Sequence, residues 1–169
     1  RTHHCVVSAP TLRSIGCSTS TIYRMVQREE LLLLLPGVFV SAQWPLGVDQ
    51  KMVAACARNP AAMIAFTTAA KLWNLRKVPN GGLHLLVPHG CSPELDGLIV
   101  HRCRRIDPVD IVERPDGIRL TSPPRTLFDS ADMLGLSRAR SVMEQLLHDK
   151  TCSLGTIVDT YHRLAHSNR

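Results

Sequence analysis

Aromatic side chains are scarce: Phe, Tyr and Trp together make up 4% of the 169 residues. That excludes the exposed base-stacking platform of a single-strand nucleic-acid binder, and leaves Leu, Val, Ile, Ala and Met to build the core. Long apolar runs are missing too. Stretches such as Leu31 to Leu35 fall far short of the roughly 20 residues a membrane helix needs, so no membrane partner is expected. The six cysteines, at 5, 17, 56, 91, 103 and 152, form no C-x-x-C pair and follow no secretory leader. Reduced thiols in a cytoplasmic protein are expected rather than a disulfide framework. The chain opens on Arg1 rather than Met, which leaves room for residues beyond either end.

Catalytic signatures are absent as well. There is no Walker or dinucleotide-type glycine loop, no nucleophile elbow, and no spaced acidic set followed by Lys. The histidines at His3-His4-Cys5 and the pair His162 and His166, four apart, have no third ligand placed by spacing. No enzyme activity, cofactor or metal is expected.

What is present is a basic surplus: 20 Lys and Arg against 14 Asp and Glu, a formal charge of +6. Such a surplus favours a polyanionic partner, because phosphate contacts need Lys and Arg. The first forty residues organise that charge. Ala9-Pro10 opens a short helix that stops at Gly16, and Ser18 is placed to cap a second helix running to about Arg28. Ile22, Met25 and Val26 make one apolar stripe on it. Leu31 to Leu35 and Val38 to Val40, separated by Pro36-Gly37, read as a hairpin.

Two short helices with a glycine turn, then a hairpin, is the order of a winged helix-turn-helix. With the stripe turned inward, Thr19, Ser20, Tyr23, Arg24, Gln27 and Arg28 face outward, and Arg24 or Gln27 could make bidentate base contacts. Ser18 and the helix N-terminus offer donors to a phosphate, and Arg13 is placed to meet the backbone. The alternative is a solvated polar face that touches nothing. The absence of acidic residues between Arg13 and Arg28 argues against it. The leucine-rich wing carries no Arg or Lys, so its leucines are expected to pack on the helices or on a second domain.

Residues 41–45 read as a joint. Helices are expected over 46–58 and 60–75, then strands over 83–87 and 98–102 flanking a polar loop with Gly90, Pro93 and Gly97. A hairpin over 111–120 turns at Pro115-Asp116-Gly117, and three helices follow at about 123–134, 137–149 and 153–165. The expected fold is α+β: a winged helix-turn-helix over 1–43, then a mixed α/β domain over 44–169 with a small sheet and flanking helices. In the second domain Arg102, Arg104 and Arg105 form the densest basic patch, either a second phosphate-binding surface or partners for Asp107 and Asp110. Arg125 and Asp129, four apart at a helix start, suit one ion pair on one face. A structural role is favoured over a catalytic one.

Several segments resemble the AbiEi-type antitoxins. Residues 12–24 with the Pro-Gly-Val-Phe-Val of the wing resemble that family's N-terminal helix-turn-helix and its PGVY-like wing. Residues 67–75 are similar to its S-A-A-x-L-W-G-L helix, with Asn74 where the family has Gly. Residues 100–110 are similar to its V-H-R-S-R strand, and residues 117–129 to its G-I-P-V-T-x-P-x-R-T-L-x-D segment, with Arg119 in place of Pro. The likeness spans nearly the whole chain. It implies the antitoxin of a type IV toxin–antitoxin system: a repressor that binds double-stranded DNA at inverted repeats in its own promoter. Its functional partner would be a nucleotidyltransferase-like toxin that it counters without a stable complex. Some members of that family carry a nuclease-like domain after the same two domains. The alternative, from a different class, is therefore the DNA-targeting portion of a longer repair-type nuclease.

Overall fold

The computed structural model describes residues 4–90 and 97–165. Pro93 of the expected loop, His3 and His166 lie outside the described residues. The fold is α+β, with a three-stranded and a five-stranded sheet. The chain divides into two compact units: residues 1–62 with 113–118, and residues 63–112 with 119–169.

The first unit runs β1 (Val6–Ser8), α1 (Ala9–Ser14), α2 (Thr19–Gln27), β2 (Leu31–Leu35), β3 (Val38–Ser41) and α3 (Val48–Arg58). The sheet is antiparallel in the order β1-β3-β2, so β3 is central. Successive side chains of a strand point to opposite faces. Phe39 joins Leu12, Ile22 and Leu31 in the core beneath α1 and α2, while Val38 and Val40, both fully buried, face the other way. Helix α3 packs against all three strands and covers that second face. The unit therefore extends to Ala62 rather than ending at 43, because a sheet apolar on both faces needs a cover on each. Strand β1 is an addition to the sequence reading: three residues are too few to show a period.

The second unit contains β4 (Met63–Ile64), α4 (Phe66–Leu72), β5 (Leu83–Pro88), β6 (Leu98–Cys103), a 3-10 turn over Pro108–Asp110, β7 (Ile111–Glu113) and β8 (Arg119–Thr121), then α5 (Pro123–Leu134), α6 (Leu136–His148) and α7 (Leu154–Ala165). The sheet order is β6-β5-β4-β8-β7. Strand β5 runs antiparallel to β4 and parallel to β6, and β4 runs parallel to β8. The turn of the expected hairpin falls in the 113–118 stretch of the first unit and closes with Arg114 N–H on the Ile118 carbonyl at 2.9 Å. The helix expected over 60–75 is replaced by the short strand β4 and a helix starting at Phe66. Ile64 sits between Leu85 and Leu120, and a buried apolar run of this length reads equally as strand or helix. Around α4 to α7 the core is Ala70, Leu75, Leu127, Leu134, Val142, Leu146 and Ile157. Each of its fully buried aliphatics is worth about 1.5–3 kcal/mol.

Residues 67–75 and the end of β8 are tied into this framework. Trp73 donates its indole N–H to the Thr121 carbonyl at 2.9 Å, where β8 ends. Asn74 has a φ of 54°. It closes α4 as Asn74 N–H bonds the Lys71 carbonyl and Leu75 N–H bonds that of Ala70. Asparagine is the side chain that tolerates this left-handed position best after glycine.

Candidate nucleic-acid interface

The helix-turn-helix is built from local chemistry. Helix α1 ends on Gly16, whose φ of 92° suits a residue without Cβ. Gly16 N–H donates to the Arg13 carbonyl and Cys17 N–H to that of Leu12, both at 3.0 Å. Ser18 then caps α2, its hydroxyl accepting from Thr21 N–H at 3.1 Å. That hydroxyl also shares hydrogen bonds with Ser20 and Thr21, so Ser18 is committed to the cap and the backbone donors of the first turn are what it leaves outward.

The two faces of α2 separate as its pattern demands. Ile22 is 6% exposed in the core with Leu12, Leu31 and Phe39, and Met25 and Val26 pack at its edge. Tyr23 is 64% exposed, and Arg13, Thr19, Ser20, Arg24, Gln27 and Arg28 are exposed as well. Arg24 makes one long contact, to Thr21 Oγ1 at 3.4 Å. None of the ion pairs among the described residues involves Arg13, Arg24 or Arg28. Each keeps its charge at the surface without a carboxylate to satisfy.

The wing differs from its expectation. Leu31 packs inward, but Leu32 and Leu33 are exposed. A strand cannot turn five consecutive leucines to one side, and a bulge between Leu33 and Leu35 shifts the register. Arg58 was not singled out from the sequence. It ends α3 and, with Arg13, Pro36 and Gly37, walls a hollow of about 370 Å³ beside the wing turn. Only the packing of α3 on the sheet brings it there.

The arginines of the second unit behave differently. Arg125 is 3% exposed and Asp110 1%. The Arg125 guanidinium donates through Nε to Asp129 Oδ1 at 2.9 Å, and through Nη1 to Asp110 Oδ2 at 3.1 Å and to the Arg105 carbonyl at 3.2 Å. Its Nη2 lies 3.2 Å from Cys103 Sγ. Arg163, on α7, completes the set: its Nη1 meets Asp107 at 2.6 Å and its Nη2 meets Asp110 Oδ1 at 2.7 Å. Arg105 pairs with Asp107 at 2.9 Å. Hydrogen bonds from Arg163, then from Arg105, hold the Asp107 carboxyl below its ordinary pKa. Burial pushes Asp129 up, against the pull of Arg125, and its Oδ2 is buried with no hydrogen-bond partner. Arg125 and Asp129 therefore tie α5 to the end of β6 and to the 3-10 turn. Arg163 was not foreseen, since nothing in the spacing of α7 marks one arginine as inward.

Arg102 and Arg104 are exposed and, with Arg105, Arg125, Asp129 and Phe128, wall a cleft of about 550 Å³. A further cluster was not legible in the sequence. His84 on β5 and His101 on β6 hydrogen-bond through Nδ1 and Nε2 at 2.9 Å, and His101 stacks on Phe66 with ring centroids 3.8 Å apart. Burial lowers both histidine pKa values, and each neighbouring positive charge, His101 and then Lys71, lowers that of His84 further.

Cys5, Cys17, Cys103 and Cys152 are in no disulfide. Among the described residues no group of three or more His, Cys, Asp or Glu could hold a metal ion, and no helix is long and apolar enough to cross a membrane. No family model matches the chain, and no curated protein does. Among solved structures, the chain is similar to the crystal structure of the RV2827C protein from Mycobacterium tuberculosis, with a TM-score of 0.48 and 19% identity over 73% of this chain and 54% of that one. The chain thus spans about half the length of that solved protein.

Proposed function

We propose that this protein is a cytoplasmic DNA-binding repressor of its own promoter. It acts as the antitoxin of a type IV system against a nucleotidyltransferase-like toxin, and it is not an enzyme. The observation that carries the DNA-binding part is the outer face of α2. Tyr23, Arg24, Gln27 and Arg28 are exposed on a helix with no acidic residue in its first turn. Its arginines are free of ion pairs among the described residues. The resemblance to AbiEi-type antitoxins supports the promoter and the toxin.

In this reading α2 lies in the major groove. Arg24 and Gln27 read base edges, the α2 N-terminus meets a phosphate, and Arg13 with Arg58 grips the backbone beside the wing. The test is a gel shift on the DNA upstream of the chain's own gene. Arg24→Ala and Gln27→Ala are expected to cost about 1–3 kcal/mol on the operator and little on random duplex. Arg13→Ala and Arg58→Ala are expected to weaken both and to lower the salt slope by about 1 each. Unchanged operator affinity in the α2 variants defeats the assignment. The antitoxin role is tested separately, by rescue of cells expressing a nucleotidyltransferase-like toxin.

A further inference from the structure

We propose that the arginine-walled cleft of the second unit binds a nucleoside phosphate. The argument starts from charge. Within the unit Arg105, Arg125 and Arg163 pair with Asp107, Asp110 and Asp129, so these groups attract little from outside. Arg102, Arg104 and His89 are exposed and line the cleft in addition to that set. Arg104 forms no ion pair among the described residues. Among the described residues, the acid in the wall is Asp129, with one oxygen on Arg125 and the other buried. Among the described residues the mouth of the cleft is therefore cationic, and guanidinium forks suit phosphate oxygens.

Shape narrows the choice. A volume of about 550 Å³ lies within the range of small-molecule sites. A duplex backbone is a rod that needs cations spread along an open surface, whereas here Arg102, Arg104 and His89 line one hollow. Phe128, half-buried against Tyr161 and the helix core, and Leu164 supply an apolar wall with one aromatic ring. An inorganic anion makes no use of such a wall, and a base can stack on it. Phosphate at the mouth and base against Phe128 fit one ligand, a nucleotide, free or at the 5′ end of a strand.

The experiment is titration of the intact chain with mant-ATP, read by fluorescence, with unlabelled competitors. Saturable binding is expected, weakened about tenfold by Arg104→Ala, the loss of one charge-assisted hydrogen bond. Phe128→Leu is expected to weaken ATP competition while leaving tripolyphosphate competition unchanged. A 5′-phosphorylated trinucleotide that competes better than ATP assigns the site to a strand end, and one that competes worse assigns it to free nucleotide. Both outcomes uphold the proposal. No saturable signal at millimolar mant-ATP, or the same affinity in Arg104→Ala, overturns it. So does displacement by a duplex without terminal phosphates at equal phosphate concentration, which would make the cleft a backbone contact. Arg24→Ala is expected to leave mant-ATP binding untouched, so this result stands or falls apart from operator binding.

Discussion

Arg13, Arg24 and Arg28 in the first unit and Arg105, Arg125 and Arg163 in the second have the same chemistry and opposite circumstances. The first three stand at the surface with no carboxylate partner among the described residues, and the second three are held against Asp107, Asp110 and Asp129. An unpaired surface guanidinium costs the fold nothing and is available to a polyanion. Arg125, 3% exposed, is spent on the fold, since removing its partners strands a charge in low dielectric. A positive net charge is therefore a poor guide to where a polyanion binds.

The sharpest way to break this contrast is at Arg125. Arg125→Met strips partners from Asp110 and Asp129 and is expected to destabilise the chain by about 3–5 kcal/mol in urea unfolding. Arg125→Lys is expected to recover little, because an ammonium cannot fork to Asp110, Asp129 and a carbonyl at once. On the other side, Arg24→Ala is expected to change stability by less than about 0.5 kcal/mol while costing operator affinity. Equal losses of stability at the two positions would erase the distinction.

Smaller changes probe the helix that carries the exposed face. Ser18→Ala removes the α2 cap and is expected to cost about 1 kcal/mol, seen as a lower melting temperature. Glu29 closes α2 at a φ of 57°, a conformation that strains a side chain with Cβ. Glu29→Gly is accordingly expected to stabilise the chain by up to about 1 kcal/mol; destabilisation would show that the Glu29 side chain makes a contact of its own.

The smallest effect is expected at the histidine pair of the sheet. Both pKa values lie below the unfolded value in the folded chain, so the unfolded state takes up protons first as pH falls. Stability should decline as pH drops below about 6.5, and a His84→Leu chain should show a flatter melting profile between pH 7.5 and pH 5.5, both values being roughly one unit from that pKa. A profile as steep as that of the parent would exclude the pair as its source.

Much of the first unit was legible because its signals are local. Gly16, Ser18 and the spacing of Ile22, Met25 and Val26 mark a turn, a cap and a buried stripe within a few residues of one another, and the outward set on α2 follows by subtraction. The second unit was legible in its helices and its hairpin, whose periods and turn residues are also local. Strand β4 was not, since Met63 and Ile64 become a strand only when Leu85 and Leu120 flank them. Arg58, Arg163 and the His84–His101 pair escaped for the same reason, their partners lying far along the chain or on another element.

By itself the sequence determined the α+β class, the helix-turn-helix order and the polar outer face of α2, because backbone propensity, capping and helical period act over a single turn. Only the tertiary structure decided that α3 completes the first unit, which arginines are spent on carboxylates, and that Arg102, Arg104 and Phe128 surround one hollow. Those outcomes depend on which distant surfaces meet once apolar faces are covered, and no local spacing encodes that meeting.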